Sequence, residues 1–225
     1  MTRTSMVSTA ALKTIPLFQG LPESTLQSFA DASRMKHCPR NETIMSAGDR
    51  TDFLYFVLTG SLKVVSSDEG GREVILSILG QGELFGEMGI FGDQPRSASV
   101  VTIVPSDLIM LGKEDVRALM QDHFEIAWRM MCSLADRLRT ADRKIESLAL
   151  LDVYGRVARV LIDASEEIDG RTVVAKKISR QDIAKMIGAS REMVSRVMKD
   201  LALRDLIEET EGGQVILRQA LRDVQ

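Results

Sequence analysis

Cysteine is scarce in this sequence: Cys38 and Cys132 are the only two. A widely separated pair cannot build a disulfide framework, and it suits a reducing compartment. Nor does it supply the roughly four thiolates that an iron–sulfur cluster takes, so both cysteines read as structural. Histidine is equally scarce, at His37 and His123. A Ser–His–Asp set is not suggested, and a haem would have to take one of these two as its axial ligand. The P-loop and His-Glu-x-x-His signatures are missing, and Gly80-Gln81-Gly82 precedes Gly86 at the wrong spacing for a dinucleotide fingerprint. No catalytic residue, metal ligand or resident cofactor is therefore assigned. No apolar run approaches the roughly 20 residues that span a bilayer. Met1 to Ala11 lacks the apolar core of a signal peptide, so a cytoplasmic protein is expected. The formal net charge of -3 excludes a polycation, and any nucleic-acid contact must rest on local positive charge.

What is present is a globular balance, 44% hydrophobic and 27% charged over 225 residues, enough for two compact domains. From about Leu17 to Lys113 short apolar runs are punctuated by glycine. They are Phe53 to Leu58, then Thr59-Gly60, Ser61 to Val65, Gly70-Gly71, Val74 to Leu76, Ala98 to Val104 and Leu108 to Leu111. Such runs read as hairpins of an antiparallel barrel or jelly roll, with a short helix, Pro22 to Ala32, packed against it. Beyond Lys113 the period becomes helical. Met120, Phe124, Ala127, Met131, Leu134, Leu138, Ala141, Ile145 and Leu148 alternate by four and three residues. With no breaker inside it, this seam reads as a two-stranded coiled coil of a homodimer in preference to a helix lying along its own barrel. Trp128, beside the seam, is expected to pack on the barrel.

Asp152 is a candidate N-cap for a helix over Val153 to Ala164. Asp169-Gly170 is a turn before a strand, Thr172 to Ala175. Ser179 then opens a Ser-x-x-acid capping box with Asp182, and the first helix turns Ile183, Ala184 and Ile187 inward. After the Gly188-Ala189 turn, Ser190 caps a second helix with Val194, Val197, Met198 and Leu201 on one face. Two short helices joined by a glycine turn make a helix-turn-helix. The other face of the second helix carries Arg191, Glu192, Ser195, Arg196 and Lys199, residue types that read base edges in the major groove. Between Arg180 and Lys199 five basic and two acidic residues give a local charge of +3, which a merely solvated face would also carry. Leu206-Ile207, Glu208 to Glu211, Gly212-Gly213 and Val215 to Leu217 form a hairpin, the wing of a winged helix. Gln219 to Gln225 reads as a last helical turn or a frayed end.

Ile178 to Leu206 resembles the winged helix of the CRP/FNR superfamily of bacterial regulators. The segment Gly86-Glu87-Met88-Gly89-Ile90-Phe91, followed by Arg96-Ser97-Ala98, is similar to that family's phosphate-binding segment, and Leu148 to Val153 to its hinge. The resemblance is nearest to the cAMP receptor protein branch and runs from about Leu17 to Leu217. It implies an α+β chain in three parts: a nucleotide-binding jelly-roll barrel over 1–113, a dimerisation helix over 114–149 and a winged helix-turn-helix over 150–225. It further implies a homodimer whose partners are double-stranded DNA and RNA polymerase. Arg191, Glu192 and Arg196 would contact bases, and Arg180, Gln181, Ser190 and Lys199 phosphates. Arg191, Glu192 and Arg196 match the arrangement that reads TGTGA half-sites. Glu192, Ser195 and Arg196 match that of the FNR branch. Arg191 can recognise a guanine, which favours a TGTGA-like palindrome.

The pocket chemistry agrees with that resemblance. Arg96 supplies a cation and a fork for a cyclic phosphate. The Ser97 hydroxyl and nearby N–H groups complete a nest, and Glu87 can accept from a ribose 2′-OH. Gly86, Met88 and Ala98 complete the expected ligand-binding set. The match breaks at the base, where the family's cAMP-binding branch has a Thr-Ser pair and this chain has Ala141-Asp142. Ala141 offers no hydrogen bond. Asp142 suits the paired N1–H and N2–H donors of guanine, which points to cyclic GMP or cyclic di-GMP beside cyclic AMP. Its alternative is a solvent pair with Arg139 or Arg143. A redox, gas-sensing or ligand-independent regulator on the same scaffold is the competing reading of the barrel.

Overall fold

The computed structural model describes residues 7–50, 52–92, 94–174, 178–210 and 214–222. They form two compact units, 1–136 and 137–225. The first unit opens with α1 (Thr9–Lys13), a 3-10 turn (Pro16–Phe18) and α2 (Glu23–Ala32). Eight strands follow: β1 (Ser33–Cys38), β2 (Thr43–Met45), β3 (Phe53–Thr59), β4 (Leu62–Ser67), β5 (Glu73–Leu79), β6 (Leu84–Phe85), β7 (Ser99–Thr102) and β8 (Ser106–Gly112). A short α3 (Glu87–Gly92) lies between β6 and β7. The strands make two antiparallel sheets, β1-β8-β3-β6 and β2-β7-β4-β5.

The continuous apolar run of β3 follows from its position. Leu54 and Phe56 point to a core shared with Phe18, Phe29 and α2, while Tyr55 and Val57 point between the sheets with Leu62, Leu79 and Val100. A strand covered on both faces has no polar side to alternate with. β8 repeats the pattern, with Leu108 inside the barrel and Ile109 and Leu111 on the helical side. Cys38 is fully buried between the sheets, and that burial pushes its thiol up to about 11.

Thr59-Gly60 is not the hairpin turn that the sequence suggests. β3 pairs with β8 and β6, whereas β4 pairs with β5 and β7, so the chain changes sheet at this point. Gly60 adopts φ 96, and a Cβ there would lie 2.2 Å from the Ser106 hydroxyl oxygen. The turn at Gly70-Gly71 is a true hairpin between β4 and β5, closed by Arg72 N–H on the Asp68 carboxylate at 2.9 Å.

The helix expected over 114–149 is two helices, α4 (Lys113–Asp122) and α5 (Phe124–Leu150). His123 leaves helical geometry at φ -134, ψ 82. The bend lets Val116 and Leu119 of α4 and Ile126 and Met130 of α5 reach one core, which a straight rod would soon leave. Met120 accordingly packs against the barrel core. Beyond the bend Phe124, Met131, Leu138, Ile145 and Leu148 are exposed. Trp128 is also exposed, at 55%, and does not pack on the barrel as expected, because Ile126 and Met130 hold the inward face.

The second unit holds the end of α5, α6 (Val153–Asp163), β9 (Ser165–Ile168), β10 (Arg171–Val174), α7 (Arg180–Ile187), α8 (Arg191–Leu203), β11 (Ile207–Glu209), β12 (Val215–Leu217) and α9 (Gln219–Arg222). Asp152 caps α6 by accepting the Gly155 N–H at 2.8 Å, as its position suggested. The sheet runs β11-β12-β10-β9. Val157, Leu161, Ile183, Val194, Leu201 and Leu217 fill the core beneath it. The expected roles of Ala175, Gly212-Gly213 and the last three residues lie outside the described residues.

Replacing Gly60 with Ala is expected to lower barrel stability by about 1–3 kcal/mol in urea unfolding, from the left-handed backbone and the blocked space at Ser106. An unchanged midpoint would mean that Ser106 moves aside at no cost.

Candidate nucleotide pocket and DNA-reading surface

Where β6 ends, Gly86 turns the chain at φ 86, and Arg96 runs back beneath it. Arg96 Nη1 donates to the Gly86 carbonyl and Nη2 to the Phe53 carbonyl, each at 2.7 Å. A Cβ on residue 86 would sit 2.7 Å from Nη1, so only glycine allows this approach. The Arg96 backbone is paired as well, its N–H on the Asp49 carbonyl and its own carbonyl on the Gly48 N–H. Glu87 and Arg96 are 3% and 6% exposed, unusual burial for both residue types. Burial lowers the guanidinium's pKa, against the opposing pull of Tyr55, Asp52, Glu87 and Asp49. Burial also raises the Tyr55 phenol, whose ring stacks on Phe85 at 5.0 Å.

Arg96 Nε is buried without a hydrogen-bond partner, and such an orphan donor costs about 1–3 kcal/mol. A cation with a spare donor, beside a turn cleared of side chains, fits an anionic group. Of the expected ligand set, the fold joins Gly86 and Arg96 directly and brings the Ser97 hydroxyl to 3.9 Å from the Met88 sulfur. Ala98 is buried in the barrel, while Met88 and Ser97 are exposed. Ala141 and Asp142 stand exposed on α5 in the second unit.

In that unit Ser179 caps α7 by accepting the Asp182 N–H at 3.1 Å. Gly188 ends the helix in left-handed geometry, and Ser190 caps α8 by accepting the Met193 N–H at 3.2 Å. Val194, Met198 and Leu201 are buried, which turns Arg191, Glu192, Arg196 and Lys199 to the surface with Ser195 half-buried among them. Gln181 and Ser190 are exposed at the starts of the two helices. The Glu192 carboxyl is held below the usual carboxylate range by its own backbone N–H and the Ser190 hydroxyl. Arg180, Ser195, Arg196 and Lys199 line an open groove of about 750 Å³ shared with β11.

Two contacts here were not anticipated from the sequence. Arg156 donates to the Ile187 carbonyl and the Leu151 carbonyl, each at 3.0 Å, tying the end of α7 to the segment before α6. Arg180 is paired with Glu209. The acidic run Glu208 to Glu211 was the only hint of the second, and nothing local marked the first.

Residues 35–123 match the family model of the cyclic nucleotide-binding domain, and residues 155–224 that of the Crp-like helix-turn-helix domain. A barrel of the first kind followed by a reading head of the second defines a DNA-binding transcription regulator. The chain belongs to the CRP/FNR superfamily of bacterial regulators. It is 40% identical over 185 residues to the cAMP-activated global transcriptional regulator Vfr of Pseudomonas aeruginosa, covering 77% of this chain and 86% of that one. With the cAMP-activated regulator CRP of Pasteurella multocida it shares 35% over 192 residues, 82% of this chain and 90% of the relative. Among solved structures it is similar to the c-di-GMP responsive global regulator CLP of Xanthomonas campestris. The TM-score is 0.73 at 31% identity, over 87% of this chain and 99% of that one. The α+β class, with a barrel-like sheet domain, a long helix and a helix-turn-helix, agrees with the sequence expectation. Among the described residues no helix is long and apolar enough to cross a membrane.

Replacing Arg96 with Met is expected to cost about 2–3 kcal/mol in urea unfolding, because the Gly86 and Phe53 carbonyls lose their donors. Replacing exposed Arg191 with Ala should stay within about 0.5 kcal/mol. Equal effects would mean that Arg96 is no more structural than a surface residue.

Proposed function

We propose that the protein is a homodimeric transcription regulator whose barrel takes a cyclic nucleotide and whose two recognition helices read a TGTGA-like palindrome. The observation that carries the effector class is the buried Arg96, whose Nε lacks a partner beside the Gly86 turn. Arg96 and the Ser97 hydroxyl hold the cyclic phosphate, and Glu87 accepts from the ribose 2′-OH. Gly86, Met88 and Ala98 shape the pocket. The exposed apolar row Phe124, Met131, Leu138, Ile145 and Leu148 supports a two-stranded seam. Such a dimer sets the reading helices about 34 Å apart, one turn of duplex.

On the DNA, Arg191 is bidentate to a guanine, Glu192 accepts from a cytosine amine, and Arg196 completes the base contacts with Ser195 beside it. Arg180, Gln181, Ser190 and Lys199 hold phosphates and set the register. RNA polymerase is the expected protein partner, and the cytoplasm the compartment.

The base of the effector is assigned to Asp142. With Ala141 unable to hydrogen-bond, a carboxylate at this position selects the N1–H and N2–H of guanine, which the c-di-GMP responsive neighbour supports. The second reading is cyclic AMP, favoured by relatives described as cAMP-activated; Asp142 is then a surface charge. Calorimetric titration with cyclic AMP, cyclic GMP and cyclic di-GMP decides between them. Preference for a guanine nucleotide, lost in Asp142→Ala, supports the first. Tight binding of cyclic AMP alone establishes the second, and no binding by any of the three refutes the effector class.

Replacing Arg191 with Ala is expected to weaken binding to the palindrome by about 10- to 100-fold per half-site, at about 1–3 kcal/mol for a bidentate base contact. Binding to a scrambled duplex should change far less. An equal loss on both would make Arg191 a phosphate contact.

A further inference from the structure

The wing is the part of the reading surface whose charge opposes its neighbour's. β11 and β12 contain no lysine or arginine, and the sequence joining them, Thr-Glu-Gly-Gly-Gln, adds none. β11 instead brings Glu208 and Glu209 to the groove that Arg180, Arg196 and Lys199 line from the helices, with Asp205 beside them. The two carboxylates have different partners. Glu208 accepts from Arg218 at 2.8 Å, and Arg218 also lies 3.8 Å from Asp205. Both oxygens of Glu209 accept from Arg180 Nη2, at 3.0 and 3.1 Å. Carboxylate and phosphate are both anionic acceptors of the guanidinium N–H groups, so the two compete for the same donors.

We propose that Glu209 is a built-in competitor for the DNA phosphate at Arg180, an electrostatic brake that lowers affinity for every duplex. The proposal rests on the DNA-reading function above. The carboxylate holds Nη2, one of the three guanidinium nitrogens, so a phosphate takes that nitrogen only as the carboxylate leaves, and the displaced charge then stands near the DNA backbone. It repels the duplex there and holds back part of the counterion release that drives association. The size of the effect follows from exposure. The side chains of Arg180 and Glu209 are 44% and 38% exposed, and pairs so open to water are weak. The brake is therefore worth a small factor in affinity and does not lock the surface.

The test uses the full chain and fluorescence anisotropy at several salt concentrations, without nucleotide and with cyclic AMP or cyclic di-GMP. The probes are two duplexes of about 30 base pairs, long enough for two half-sites a turn apart. One carries inverted TGTGA half-sites and the other is scrambled. Glu209→Gln is expected to bind both about three- to fivefold more tightly, and to steepen the slope of log affinity against log salt by about 1–2 for a dimer. Glu208→Gln should gain less, and in an Arg180→Ala background the Glu209→Gln gain should fall to that of Glu208→Gln, the part due to charge alone. Equal gains from the two glutamate variants would reduce the effect to net charge. A gain undiminished without Arg180, or no gain at all, would likewise overturn the proposal. Wild-type protein that binds neither duplex at low salt under any of these conditions would refute the DNA-reading function, and this inference with it.

Discussion

The barrel is organised around one ion taken out of water. Arg96 comes from the stretch before β7, yet its donors end on carbonyls at the start of β3 and just beyond β6. Phe53 lies forty-three positions before Arg96, and β3 and β6 are paired neighbours in one sheet while β7 belongs to the other. Removing a guanidinium from solvent is costly unless its donors are met. The fold meets two of them with main-chain oxygens and leaves Nε over. The conformation of Gly86, the burial of Glu87 and the pairing of Gly48 and Asp49 with the Arg96 backbone follow from keeping this cation in place.

The features that could be read from the sequence are those set by short-range rules. Asp152, Ser179 and Ser190 each precede a helical period and offer a side-chain oxygen to the first turn, and all three caps form. Ile183, Ala184 and Ile187 face inward because helical spacing puts them on one stripe. The Gly86 and Arg96 pair was visible only because a known segment could be matched, since ten residues separate the two along the chain.

The features that escaped it depend on tertiary structure. A strand followed by Thr59-Gly60 and another strand reads as a hairpin until Ser106, forty-six positions after Gly60, occupies the space above the glycine. The heptad pattern steps from Met120 to Phe124 without a break, so nothing in it marks the departure from helical geometry at His123. Trp128, beside the seam, is expected on the barrel, yet Ile126 and Met130 hold the inward face and leave it 55% exposed. Pairing of Arg180 with Glu209 depends on β11 sharing one groove with the helices, which brings a residue twenty-nine positions away to the start of α7.

Arg156 gives the second unit a property that neither of its helices has alone. A single planar group holds the carbonyl of Leu151, just before α6, and that of Ile187, at the end of α7. A guanidinium does not flex, so it works as a gusset plate between two beams. A displacement of the Leu151 carbonyl that broke its bond would leave Arg156 holding the last turn of α7 alone. The start of α6 and the end of α7 are thereby cross-linked through one side chain.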